Sequence, residues 1–257
     1  MANRQPGYID GRRARVGGVP IWGPVPSVLT PGTMEAYGIF EEFIGVEQLN
    51  IGGNSHDWEY WIQNAAVLSQ GDEAGGVALI TCGGANNDSG QIILGGLASG
   101  GAFRLAAGKH LWFEARFKHT LVTSPAEIGI FAGLINPVNA AILGDGLVAL
   151  PNNNMLGWVV RDSEVNWSFV GDRLGVEGLN PLGVTYALDT DYHYFGFYVN
   201  GVTNVVVYYD RAIVAGGAIV TANIPDTVSL MPAIAIKAGA AAAEILTIDY
   251  VMCVQLR

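Results

Sequence analysis

Leu111-Trp-Phe-Glu-Ala-Arg-Phe-Lys-His119 alternates along its length, and that alternation decides the fold class. Leu111, Phe113, Ala115 and Phe117 point one way, while Trp112, Glu114, Arg116 and Lys118 point the other. Successive side chains of a strand face opposite sides, so this is an antiparallel strand with one face in a core and the other wet or against a partner.

Working outward, Tyr194-Phe-Gly-Phe-Tyr-Val199, then Asn200-Gly201, then Val202 to Tyr209 reads as two strands joined by a type I′ turn, whose two central residues need positive φ. Further strands are predicted at 76–82, 90–94, 128–135, 155–161, 166–170, 184–188, 230–238 and 245–256, divided by Gly, Asn, Asp and Pro. The 35 glycines are about twice the usual share of roughly 7% and follow no G-x-y period, which suits many turns and bulges. Residues 240–243, all alanine, are too short for a stable helix between two strand patterns and are assigned to a hairpin loop. Met34 to Phe43, with Glu35, Glu41 and Glu42, is the one other helical candidate, weakened by Gly38.

The first 33 residues differ from the rest. They hold Pro6, Pro20, Pro24, Pro26 and Pro31 among glycines, with no hydrophobic period, and are expected to form an extended arm over a surface. The arm carries Arg4, Arg12, Arg13 and Arg15 against Asp10, a net of +3, which leaves −13 on the other 224 residues of a chain whose net charge is −10. Such polarisation suggests assembly more than catalysis, with Arg4, Arg12, Arg13, Arg15 and Trp22 as contact residues. The acidic body excludes itself from phosphate binding, so nucleic acid is not an expected partner. No apolar run is long enough to cross a bilayer as a helix and no apolar stretch follows the N-terminal arginines, so a soluble protein without a cleaved signal is expected. Cys82 and Cys253 are expected to be free, buried thiols, in keeping with a reducing cytoplasm. One domain, residues 34–257, follows the arm.

The search for chemistry returns little. His56, His110, His119 and His193 lack the spacing of a helical zinc site. Asp189, Asp191 and His193 would share one face of a strand and suit a cation, but a polar turn before Tyr192 is the reading adopted. The nearest approach to a glycosidase carboxylate pair is Asp57-Trp-Glu59-Tyr-Trp61, where Trp58 and Trp61 are candidate glycan contacts. Without a nucleophile elbow, a P-loop or a dinucleotide fingerprint, no enzymatic activity, cofactor or metal is expected.

Phe103-Arg-Leu-Ala-Ala-Gly-Lys109 leading into Leu111 to Phe117, then Gly129-Ile-Phe-Ala-Gly-Leu134, Tyr194 to Tyr209 and Ile245 to Gln255, resembles bacteriophage virion proteins with a concanavalin-like jelly roll. The resemblance spans about residues 75 to 257 and implies an all-β sandwich that decorates or cements a capsid as a homotrimer or other small homo-oligomer. The implied partner is the major capsid protein, and the implied place is the capsid surface of a virion made in the host cytoplasm. The alternative is a carbohydrate-binding or tail-associated adsorption protein, using an open sheet face with Trp58 and Trp61.

Overall fold

The computed structural model describes residues 36–43, 49–50, 58–73, 76–94, 101–120, 127–136, 141–144, 150, 154–216 and 221–256. The arm, with Arg4, Arg12, Arg13, Arg15 and Trp22, lies outside the described residues. The strands are β1 (Ala36–Glu41), β2 (Leu49–Asn50), β3 (Trp58–Gln63), β4 (Val67–Gly71), β5 (Val77–Thr81), β6 (Ser89–Leu94), β7 (His110–Thr120) and β8 (Ile128–Ile135). They continue as β9 (Asn154–Val160), β10 (Ser168–Arg173), β11 (Val176–Pro181), β12 (His193–Asn200), β13 (Asn204–Tyr209), β14 (Ala212–Ile213), β15 (Met231–Ala238) and β16 (Ile245–Leu256).

Two sheets stack face to face. The first runs β14-β13-β12-β7-β16-β5-β4, and β1 pairs with the far half of β16 on the edge that β5 uses nearer its start. The second runs β11-β10-β9-β8-β15-β6-β3-β2. Between them lie Phe113, Phe117, Phe195 and Phe197 of the first sheet against Trp58, Trp158 and Phe169 of the second, with Trp167 beside them. Phe117 stacks on Phe195 with centroids 4.2 Å apart, and Trp158 meets Trp167, Phe169 and Phe195 edge-on. Trp158 Nε1 donates to the Gly196 carbonyl at 3.2 Å, tying the sheets together and satisfying its buried donor. Each such aromatic removes about 150–250 Å² from water, about 4–6 kcal/mol gross before ordering entropy.

The central strands of the second sheet, β6, β8, β9 and β15 with most of β10, are buried on both faces. The sheet's outer face carries Ile93, Phe131, Met155, Val159 and Val170 beneath Ile142, Leu143 and Leu150. This cover is pinned by Ile142 N donating to Gln91 Oε1 and Leu150 N to Glu177 Oε2. Hence the run 128–135 reads as continuously apolar, and 231–238 is apolar apart from the buried Lys237, neither showing alternation.

Several sequence expectations change. The helical candidate at 34–43 contains β1, because Gly38 lets the backbone lie on β16: a Cβ there would sit 2.5 Å from the Cys253 carbonyl oxygen. At 184–188 there is a single 3-10 turn, Val184–Tyr186, in place of a strand. Among the strands missed are β4, which pairs with β5, and β11, which returns on β10 through Leu174-Gly175, both at positive φ. The β12–β13 hairpin forms, but Asn200 pairs with Asn204, so three residues bridge it and only Gly201 among them has positive φ. The alanine run does not close a hairpin, since β15 and β16 belong to different sheets.

Candidate functional site

The outer face of the first sheet keeps the alternation of β7 and presents Glu114, Arg116 and Lys118 beside Tyr194 of β12 and Tyr192 just before it. A bulge in β16 completes the surface. The register on β7 slips between Ile248 and Tyr250, and the extra residue, Asp249, reaches Arg116 while Tyr250 reaches Glu114. Bulges re-aim side chains in this way, and here one brings an acid and a phenol to two neighbouring positions on β7.

The result is a band of rings and ions. Lys118 Nζ contacts Glu73 Oε1 at 2.9 Å, and Tyr192 OH donates to Glu73 Oε2 at 2.7 Å. Arg116 lies 4.2 Å from the Tyr192 ring centroid and pairs with Asp249 at 2.5 Å. Arg211 lies 4.0 Å from the Tyr194 ring and donates to Tyr250 OH at 3.3 Å and Glu114 Oε1 at 3.4 Å. Arg116 Nε and Arg211 Nε are buried without an acceptor, a cost offset by ring stacking and ion pairing.

Hydrogen bonds from Lys118 and Tyr192 hold the Glu73 carboxyl below the usual carboxylate range. Burial pushes the Glu114 carboxyl up, against the hydrogen bond from Tyr250 and the charge of Arg211. Burial also raises the Tyr250 phenol, and the Glu114 charge adds to the effect. The three cations are thus each matched to a carboxylate, while Tyr192 and Tyr194 remain only half-buried. Such a surface offers flat apolar rings and many hydrogen-bonding groups but little net charge.

At one end of the band, His193 Nδ1 lies 2.7 Å from Asp210 Oδ2 and its Nε2 lies 2.9 Å from Asp189 Oδ1. The polar turn expected at 189–191 is present, with Asp191 N donating to Asp189 Oδ1 at 2.8 Å. The carboxylates face the imidazole, and among the described residues no three His, Cys, Asp or Glu side chains form a metal-holding group.

The expected glycan contacts separate. Trp58 is 1% exposed in the core against Phe43, so it cannot serve an open face. Trp61, of opposite parity, is partly buried on the outer side of β3 next to Gln91 of β6. Trp112, on the outer face of β7, is 2% exposed and stacks with His110 and Tyr198 within the chain, so it does not require a partner subunit to cover it. Sequence reasoning missed Tyr192, Tyr194, Arg211 and the Asp249–Tyr250 bulge. The only available signal was the pair of tyrosines flanking His193.

No family model matches the chain, and no curated protein matches it. Solved structures do. An endo-1,3-β-glucanase from Streptomyces sioyaensis superposes with a TM-score of 0.55 at 12% identity, covering 85% of this chain and 95% of that one. A structure reported among endo-acting O-glycanases of the human gut microbiota gives 0.54 at 12% identity, covering 85% and 99%. A glycoside hydrolase family 16 protein of the mixed-linkage glucan system of Bacteroides ovatus gives 0.54 at 11%, covering 83% and 98%. The expectation of a non-enzymatic protein is therefore corrected: the scaffold is shared with endo-acting glycanases, and the lack of a sequence motif was no ground for excluding catalysis. The comparisons show no virion structural role, and what they establish is the fold, a concanavalin-like jelly-roll β-sandwich.

Proposed function

We propose that the protein recognises carbohydrate through the outer face of its first sheet, with Tyr192 and Tyr194 as ring platforms and Arg116, Lys118, Arg211, Glu73 and Asp249 as hydrogen-bonding groups. The observation that carries this reading is the pairing of two half-buried tyrosine rings with cations already neutralised by carboxylates. A sugar ring combines an apolar face with hydroxyls that both donate and accept, and aromatic rings with a polar edge suit such mixed surfaces. The charge balance favours neutral hexose chains over polyanions, which would need unpaired cations. The glycanases that share the sandwich support the substrate class.

The test is titration against soluble 1,3-β-glucan, mixed-linkage glucan and mucin glycans, with release of new reducing ends scored in the same mixtures to detect hydrolysis. Tyr194→Ala is expected to weaken binding roughly tenfold, about 1.4 kcal/mol. Absence of binding to the whole panel at millimolar sugar, or affinity unchanged in both Tyr192→Ala and Tyr194→Ala, refutes the reading.

A second reading places the chain on a phage capsid, held to the major capsid protein by the arm and assembled as a homotrimer or other small homo-oligomer. Its support is the charge split between residues 1–33 and the rest. It is compatible with a sugar-binding body displayed on a shell. Deleting residues 1–33 should abolish incorporation into particles, and unchanged incorporation removes this reading.

A further inference from the structure

Two consecutive residues between β13 and β14, Asp210 and Arg211, have φ of 48° and 64°, the left-handed region that suits Gly or Asn. They form the whole loop of a hairpin in which Tyr209 pairs with Ala212, so both central positions need positive φ. An Asp-Arg pair adopts this conformation only if other contacts hold it. Arg211 is held by the Tyr194 ring, Tyr250 and Glu114. Asp210 is held by two donors: Tyr194 N reaches Oδ1 at 2.9 Å, and His193 Nδ1 lies 2.7 Å from Oδ2.

The other ring nitrogen of His193 faces both oxygens of Asp189, at 2.9 and 3.0 Å. A carboxylate only accepts, so both contacts are hydrogen bonds only when both ring nitrogens carry hydrogen, that is, in the imidazolium form. From this geometry we propose that protonated His193 is a positioning residue that clamps the β13–β14 turn against Asp189, and that it thereby sets Arg211 on the Tyr194 ring and tunes sugar binding to pH.

The groups around the ring agree. Asp189 lies before β12, Asp210 on the turn, and Asp191 on the same loop as Asp189. Tyr209 of β13 stacks on the imidazole at 4.8 Å, and Phe195 of β12 meets it edge-on. From β7 comes His119, which is buried and whose charge, if gained, would oppose that of His193. Burial disfavours the imidazolium, but the two aspartates overcome it and leave the group more basic than an ordinary histidine. The clamp is closed below that elevated midpoint and opens as pH rises through it. One Nδ1 or Nε2 contact then becomes acceptor against acceptor, and the turn loses a holding contact.

The binding readout rests on the carbohydrate reading, but the clamp itself is tested without any sugar. Histidine NMR on the full chain, titrated from pH 5 to 9, should show an imidazolium persisting above pH 6.5, with Tyr194 ring signals shifting at the same midpoint. Asp210→Asn should lower that midpoint. Titration of soluble 1,3-β-glucan over the same range should show affinity falling by about tenfold above it, and His193→Gln should show the weak affinity at every pH, with no midpoint. A histidine that titrates at or below 6.5, or Tyr194 signals that do not follow it, overturns the clamp. A coupled His193–Tyr194 titration with no glucan binding at any pH upholds the clamp and removes the carbohydrate reading instead.

Discussion

Acid should unfold this protein partly through one buried histidine. His119 lies on the inward face of β7 opposite Leu246, is 3% exposed, and has an Nε2 with no hydrogen-bond partner. Burial pushes its pKa down to about 4 from the ordinary 6.5; Asp189 pulls it slightly up, and His193 down. A folded-state value below the unfolded one means that the unfolded chain takes up the proton first, so stability is lost as pH falls from about 6.5 towards about 4. At 1.36 kcal/mol per pH unit, holding this imidazole neutral over that window corresponds to about 3 kcal/mol. Carboxylates also titrate there, and His193 has the opposite sign, so the quantity to measure is a difference between two proteins. His119→Leu keeps a similar volume, removes the unsatisfied nitrogen and removes the proton uptake. Urea unfolding followed by circular dichroism at pH 7 and pH 4.5 gives the comparison. Wild type should lose about 1 M more of urea midpoint than the variant, for a slope of about 3 kcal/mol per molar in a chain of this size. Parallel loss in the two proteins would refute the argument, because it would mean that His119 is hydrated or partnered when charged.

Gly133 and Gly157 face one another across β8 and β9, and a Cβ on Gly133 would lie 2.3 Å from the Leu156 carbonyl oxygen. Gly133→Ala should therefore cost about 2–4 kcal/mol in thermal unfolding, and a loss under 1 kcal/mol would show that the ladder yields. Cys82 and Cys253 are both free and fully buried, with burial pushing Cys82 up to about 12 and Cys253 well above its ordinary value. Neither should react with a thiol reagent at pH 8 until the protein is unfolded, and rapid native labelling would contradict their burial.

What could be read directly from the chain were the elements whose burial is written into their own period. β7 announces itself because its inner face meets the core while Arg116 and Lys118 keep to the other side. The β12–β13 hairpin was legible from its flanking strands and Asn200-Gly201, although its loop turned out one residue longer. The pattern at 111–119 fixes the face on which Glu114, Arg116 and Lys118 stand, so one strand of the candidate site was in view from the start.

The rest depends on contacts between residues far apart in sequence. β1 is a strand only because Gly38 can lie against Cys253, 215 positions later in the chain. Trp58 reads as a surface aromatic beside carboxylates until its own sheet, the second, is folded against the first. Asp249 reads as an inward or outward residue by simple alternation until the bulge against β7 shifts the parity of β16 and delivers it to Arg116. Arg211 is one basic residue in a turn until its guanidinium comes to rest on Tyr194 and within reach of Glu114. Period and turn chemistry are local, so a sequence determines which face a strand turns inward. The registers, bulges and sheet order that bring distant side chains into one band come from long-range packing, which no local pattern encodes.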